Sequence, residues 1–229
     1  MADIAFLLLI FFLVTTTMDT DAGILRLLPP VVEDEQSIIV NQRDIYEVLV
    51  NDADQLLVEG EPMELENLRE GAKIFMTNPN NANPDLPQKR MVTSADAQQQ
   101  LANNKSYLAQ ATDPEERQRF EKEVEKWEGK LNAIRLIGEY RELPNNAVIS
   151  LQTGSRTTYD MYVQVQNELE AAIRELRDEL SMEKFDRKFT ELDEKDEEDR
   201  ELIKAIRQVY PQRVSEAEPV DVGERNAGS

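Results

Sequence analysis

A membrane helix followed by a domain that mixes strands with amphipathic helices is the fold class this sequence predicts, on three observations. An unbroken apolar run opens the chain, from Ile4 to Val14. Short β-branched and apolar runs recur at Ile45 to Val50, Gln55 to Glu59 and Ala147 to Leu151, which is the signal of strands. Around them, apolar residues return at spacings of three and four, which is the period of a helix with one buried face. With 229 residues and 40% hydrophobic content, the chain is long and apolar enough to bury a core.

Composition narrows the function classes. Acidic residues outnumber basic ones 46 to 26, for a net charge of -20, which repels phosphate backbones and anionic headgroups. No nucleic-acid partner is expected. The chain holds no Cys and no His, so disulfides, zinc sites, thiol nucleophiles and imidazole bases are excluded. No cofactor motif and no metal-ligand spacing is found. Absence of cysteine fits an oxidising and a reducing compartment equally, and the compartment therefore rests on the N-terminal run.

That run carries one carboxylate, Asp3, at its head. The sixteen residues from Asp3 to Met18 rise about 24 Å as a helix, against about 30 Å of hydrocarbon. The shortfall of roughly a turn predicts further helix upstream of Met1, and with it a cytoplasmic segment. A cleaved signal peptide is the alternative, but it needs a positive n-region and a small-x-small site; the first basic residue is Arg26, and TTTMDTDAG contains no such site. Asp3 itself has two readings. It caps the helix at the membrane surface, or it stands within the apolar zone, where an ionisable side chain marks function.

Residues 1–18 are thus expected as the transmembrane helix and 19–43 as a linker, with Pro29, Pro30 and the acidic trio Glu33, Asp34 and Glu35 in it. Two strands separated by NDAD form a hairpin from Ile45 to Glu59. Leu65, Leu68, Ala72 and Phe75 predict a helix that ends at Asn78-Pro79. The polar loop NPNNANPDLPQ then opens an insertion spanning 78–146. Inside it, Asp113 and Pro114 supply an N-cap and a first-turn proline. A stripe of Phe120, Val124, Trp127, Leu131, Ile134 and Ile137 follows, suited to packing on the adjacent domain or to binding a partner helix. Thr157-x-x-Asp160 caps the longest helix, with Tyr162, Val165, Leu169, Ala172, Leu176 and Leu180 on one face. The charged run from Lys184 to Glu201 reads as solvated helix surface or loop, Leu202 to Val209 as a short helix, and YPQRVSEAEP as an extended end. The domain is placed at 44–217 and a tail at 218–229.

These segments carry a resemblance. MADIAFLLLIFFLVTTTMDTDAGI resembles the transmembrane segment of the ExbD/TolR family of biopolymer-transport proteins, in which an Asp precedes the single apolar helix. VLVNDADQLLVEGE is similar to the first hairpin of the family's periplasmic domain. VISLQTGSRTTYDMYVQVQNELEAAIREL is similar to its second strand and helix, and YPQRVSEAEP to the C-terminal end of ExbD-like members. The resemblance covers about two thirds of the chain. The family's cytoplasmic segment would lie ahead of Met1, and the 78–146 insertion is longer than in compact members.

The resemblance implies an α+β fold: one transmembrane helix, then a small two-layer periplasmic domain with helices on one face of a mixed sheet. It implies a non-enzymatic subunit of the bacterial inner membrane, working as a dimer inside a ring of an ExbB-like polytopic partner. Proton flow there drives motion passed to a TonB-like protein. Carried onto this sequence, Asp3 is the proton-relay residue, and Thr15, Thr16 and Thr17 are candidates for a polar path toward the periplasm. The alternatives are a TolR-like subunit for envelope maintenance, a membrane-anchored scaffold without a proton step, and a secreted enzyme using surface carboxylates.

Overall fold

The computed structural model describes residues 41–217. The expected membrane helix, the linker as far as residue 40 and the tail from residue 218 lie outside the described residues. Among those described, no helix is long and apolar enough to cross a membrane.

The main sheet grows from β1 (Ile45–Val50). Its residues alternate, so that Tyr46, Val48 and Val50 are buried on one face, as the period of two in a strand dictates. Strand β2 (Leu56–Val58) returns antiparallel, with Val48 opposite Val58. The connection is held by Asn51, whose Oδ1 accepts the amides of Ala53 and Gln55, both at 2.9 Å. A second hairpin adds the two-residue β3 (Glu61–Pro62), which the sequence reading did not include. Glu59 and Gly60 both take positive φ, 53° and 83°, the geometry of a tight hairpin turn. Proline is tolerated in β3 because that strand is the sheet's edge.

Strand β6 (Val148–Thr153) lies on the other side of β1 and runs parallel to it, in register from Ile45 opposite Val148 to Val50 opposite Thr153. Strand β7 (Val214–Glu216) adds in parallel to β6. The order is β3-β2-β1-β6-β7, a mixed sheet as the resemblance implies. Helix α1 (Leu65–Thr77) buries Leu68, Ala72, Phe75 and Met76. Helix α4 (Tyr159–Phe185) buries Val165, Leu169, Ala172, Ile173 and Leu176. Both sets form one core with the buried residues of β1, β2 and β6. The two helices are laced at their margin, where Arg69 meets Glu168 and Glu175 at 2.8 Å each and Lys73 meets Glu179 at 2.7 Å.

Helix α1 stops at Asn78, which is buried and takes φ 29°. Its side-chain nitrogen donates to the carbonyls of Asn83 and Pro87, at 3.0 and 2.9 Å. Asn81 exchanges two 2.9 Å bonds with the backbone of Lys89. The Pro/Asn loop is therefore folded about two asparagine side chains, which stand in for backbone partners.

Beyond it, β4 (Arg90–Val92) and β5 (Tyr140–Glu142) form a two-stranded antiparallel ribbon. Between them run α2 (Ser94–Gln110) and α3 (Pro114–Ile137), packed on each other as a helical hairpin. The start of α3 is as expected, with Asp113 accepting from the Glu115 amide and Pro114 at the first position. Helix α2 was not anticipated: Ala97 is its one buried residue, too little for an apolar period. The α3 stripe packs within the domain. From the stripe, Ile137 joins Val92, Tyr140, the neighbouring Ala133 and, from α5 (Glu197–Val209), Ala205, Ile206 and Val209 in a second core, with Ile134 partly buried against it.

The charged run from Lys184 to Glu201 is surface and loop with one exception. Asp199 is 7% exposed and accepts both Arg187 guanidinium nitrogens, at 2.8 and 2.9 Å, and the Asp193 amide at 3.0 Å. Helix α5 begins five residues earlier than expected because Asp196 caps it, accepting from the Asp199 amide.

Two expectations follow. The Tyr46 hydroxyl is buried with no hydrogen-bond partner, and burial, then the Glu59 charge, push its pKa up to about 12. Tyr46→Phe removes an unpaired polar group, so it leaves the unfolding free energy unchanged or raises it by up to about 1 kcal/mol, as read by chemical denaturation. Arg187, then the Asp193 amide, hold the Asp199 carboxyl below the ordinary carboxylate range. A depressed folded value stabilises above the unfolded value of about 4 and is lost as pH falls through the folded one. Asp199→Asn therefore lowers the thermal midpoint at neutral pH, and its gap to wild type narrows as pH drops below about 4.

Candidate functional site

The expected proton-relay residue Asp3 and the polar-path candidates Thr15, Thr16 and Thr17 lie outside the described residues. Among the described residues, no group of three or more acidic side chains is disposed to hold a metal ion. The site that the fold does assemble sits where β1 and β6 end side by side and α4 begins.

Two loops meet there, Asn51 to Gln55 and Gly154 to Thr158. The Gly154 amide donates to the Val50 carbonyl at 2.7 Å. The Thr157 hydroxyl lies 3.2 Å from the carbonyls of both Val50 and Asn51. Asp52 accepts from the Arg156 amide at 3.0 Å, and Asp54 from the Thr158 amide at 2.8 Å. These carboxylates are engaged by backbone, so the arrangement is a joint and not a catalytic pair. The cap of α4 is Thr158, whose hydroxyl accepts from the Met161 amide at 3.3 Å. Thr157, expected as the cap, instead ties the loop to β1.

The joint presents an aromatic pair. Tyr159, the first residue of α4, is 80% exposed, and its ring lies 6.3 Å from that of Tyr162. The Tyr162 hydroxyl donates to Glu216 on β7, and Gln166 donates to both, reaching the hydroxyl at 2.6 Å. An exposed tyrosine beside a sheet edge is the chemistry of a protein-contact surface, where one ring supplies apolar area and a hydrogen bond together. Nothing local in the sequence tells that Tyr162 meets a residue fifty-four positions later.

Residues 1–177 match the family described as biopolymer transport protein ExbD/TolR. The chain belongs to this family. The match takes in Asp3 and the apolar run, the first hairpin, β6 and α4 as far as Arg177, whereas α5 and β7 lie beyond it. No curated protein and no solved structure matches the chain significantly. ExbD/TolR proteins are non-enzymatic, serve energy coupling in biopolymer transport, and are inner-membrane anchored with a periplasmic domain. They work with ExbB/TolQ-type and TonB/TolA-type partners.

In this ExbD/TolR protein, the joint depends on Gly154. A Cβ there would overlap the Asp52 carboxylate and lie 2.9 Å from the Asp52 amide nitrogen. Gly154→Ala forces the two loops apart and lowers the unfolding free energy by about 1 to 3 kcal/mol, measurable by urea denaturation of the full chain.

Proposed function

We propose that this ExbD/TolR protein uses the proton motive force, together with an ExbB-like polytopic partner and a TonB-like protein, to drive active transport across the outer membrane. The observation that carries this reading is a family match that begins at residue 1 and so takes in an Asp at the head of an apolar run. A carboxyl in that setting is costly unless it works. Within a ring of partner helices it cycles between neutral and charged forms as a hydrated path closes and opens. Thr15, Thr16 and Thr17 carry that path toward the periplasmic side. Two copies of the chain pair, each with a single membrane helix over residues 1–18 and the domain from residue 44 in the periplasm.

The joint at the end of β1 and β6 suits force transfer, since its two loops are tied by backbone bonds that hold α4 to the sheet. The test is Asp3→Asn in the full-length protein, with protein level and partner association checked. Asparagine caps helices about as well as aspartate but cannot ionise. Energy-dependent uptake of an outer-membrane-transported substrate falls to the uncoupled background. Normal uptake would leave Asp3 as a helix cap and the protein as a scaffold.

A further inference from the structure

In a chain of net charge -20, four basic residues line one cavity. It has a volume of about 170 Å³ and lies between α3, the β5–β6 connection and the end of α5. Lys126, Lys130, Arg207 and Arg213 line it against a single carboxylate, Glu142. Asn145 and Gln208 add side-chain amides. The lining thus carries an excess of three positive charges, and every neutral polar side chain in it has N–H groups to donate.

The cations are held there by construction. Lys130 is 5% exposed, 2.6 Å from Glu142, with its ammonium 4.6 Å over the Trp127 ring. Glu142 also meets Arg90 at 3.4 Å, so its charge is already shared. Arg213 is tied by its guanidinium to the carbonyls of Pro144 and Ala147 and forms no ion pair among the described residues. Lys126 and Arg207 pair with Glu123 and Glu194 at partly or largely exposed positions, where such pairs are weak and open readily; the Arg207 guanidinium also lies 5.9 Å over the Phe189 ring. Glycine is unfavourable in a helix interior, yet Gly129 stands in α3, and a Cβ there would press on Gln208 Nε2 at 3.3 Å. The missing side chain lets Gln208 lie against α3 beside the cavity.

We propose that this cavity binds a phosphate-type oxyanion carrying two negative charges, free or as the end group of a phosphate monoester. Guanidinium and ammonium donors around a low-dielectric cleft attract such an anion strongly. The volume falls below the roughly 300 to 1,000 Å³ of pockets that enclose whole organic ligands. It therefore admits the charged end group and leaves any organic remainder outside. The site is independent of the proton step at Asp3.

Trp127 is the sole tryptophan of the chain and lies beneath Lys130, so its fluorescence reports on the cavity. The full-length protein in non-ionic detergent is titrated with inorganic phosphate at constant ionic strength, with chloride as the balancing anion. A second titration uses glycerol phosphate. A saturable change in Trp127 emission with phosphate is expected, and saturation by glycerol phosphate as well identifies the monoester as the class bound. Lys126→Gln and Arg207→Gln, both at positions open to solvent, each weaken binding about tenfold, whereas Arg207→Lys retains most of it. No saturable response to either anion, or wild-type affinity retained in both glutamine variants, overturns the proposal.

Discussion

Parallel pairing of β1 with β6 is the constraint on which the rest of the domain depends. Parallel neighbours cannot be joined by a tight turn, so the chain leaving the end of β1 must return to the start of β6 by a long route. Everything from residue 51 to residue 147 is that route. Both ends of the pair are secured by side chains. At the start, buried Asp44 accepts from Asn146 at 2.8 Å; at the finish, Asp52, Asp54 and Thr157 tie the two loops. With the pair held at both ends, the alternation of β1 and β6 delivers Val48, Val50, Ile149 and Leu151 to one face, and α1 and α4 have a single surface on which to pack.

The second core is attached to the first through α4. Arg177 is 9% exposed, and its Nε donates to the Tyr210 carbonyl at the end of α5, at 2.9 Å. Its guanidinium lies 5.4 Å over the Phe189 ring. Burial, then the neighbouring Arg207 charge, lower its pKa to about 10, and it stays protonated near neutral pH. A cation at a helix C-terminus also meets the negative end of the helix dipole. Asp199, Lys130 and Asp44 follow the same rule: each buried charge is hydrogen-bonded to a group on another segment. Removing a partner would leave a bare buried charge, which is far costlier than the pair itself is stabilising. Such contacts set the position of α5 and the helical hairpin against the sheet.

Much of the fold was legible because its signals are local. Strand β1 announced itself by β-branched residues before a polar turn, α1 by its apolar period, and α3 by Asp113 and Pro114. What escaped lacked local signal. Helix α2 buries one alanine, β4 and β5 are three residues each, and β3 contains a proline. Asp199 sits in EKDEEDRE, where nothing marks one acid among its neighbours as buried. The four cations of the cavity are drawn from α3, α5 and the segment before β7, and their convergence has no linear trace.

By itself, the sequence determined the family, through an Asp before an apolar run followed by a hairpin and a capped helix in order, and it determined that β1, β2 and β6 are strands and that α1, α3, α4 and α5 are helices. Those properties depend on neighbours a few residues away, through backbone sterics, capping and the period of apolar side chains. Only the tertiary structure decided that β1 pairs in parallel with β6, that Thr157 ties a loop while Thr158 caps α4, that the α3 stripe packs inside the domain, and that cations gather within an acidic chain. Each of these rests on contacts between residues far apart in the chain, whose energies exist only once the sheet has brought the segments together.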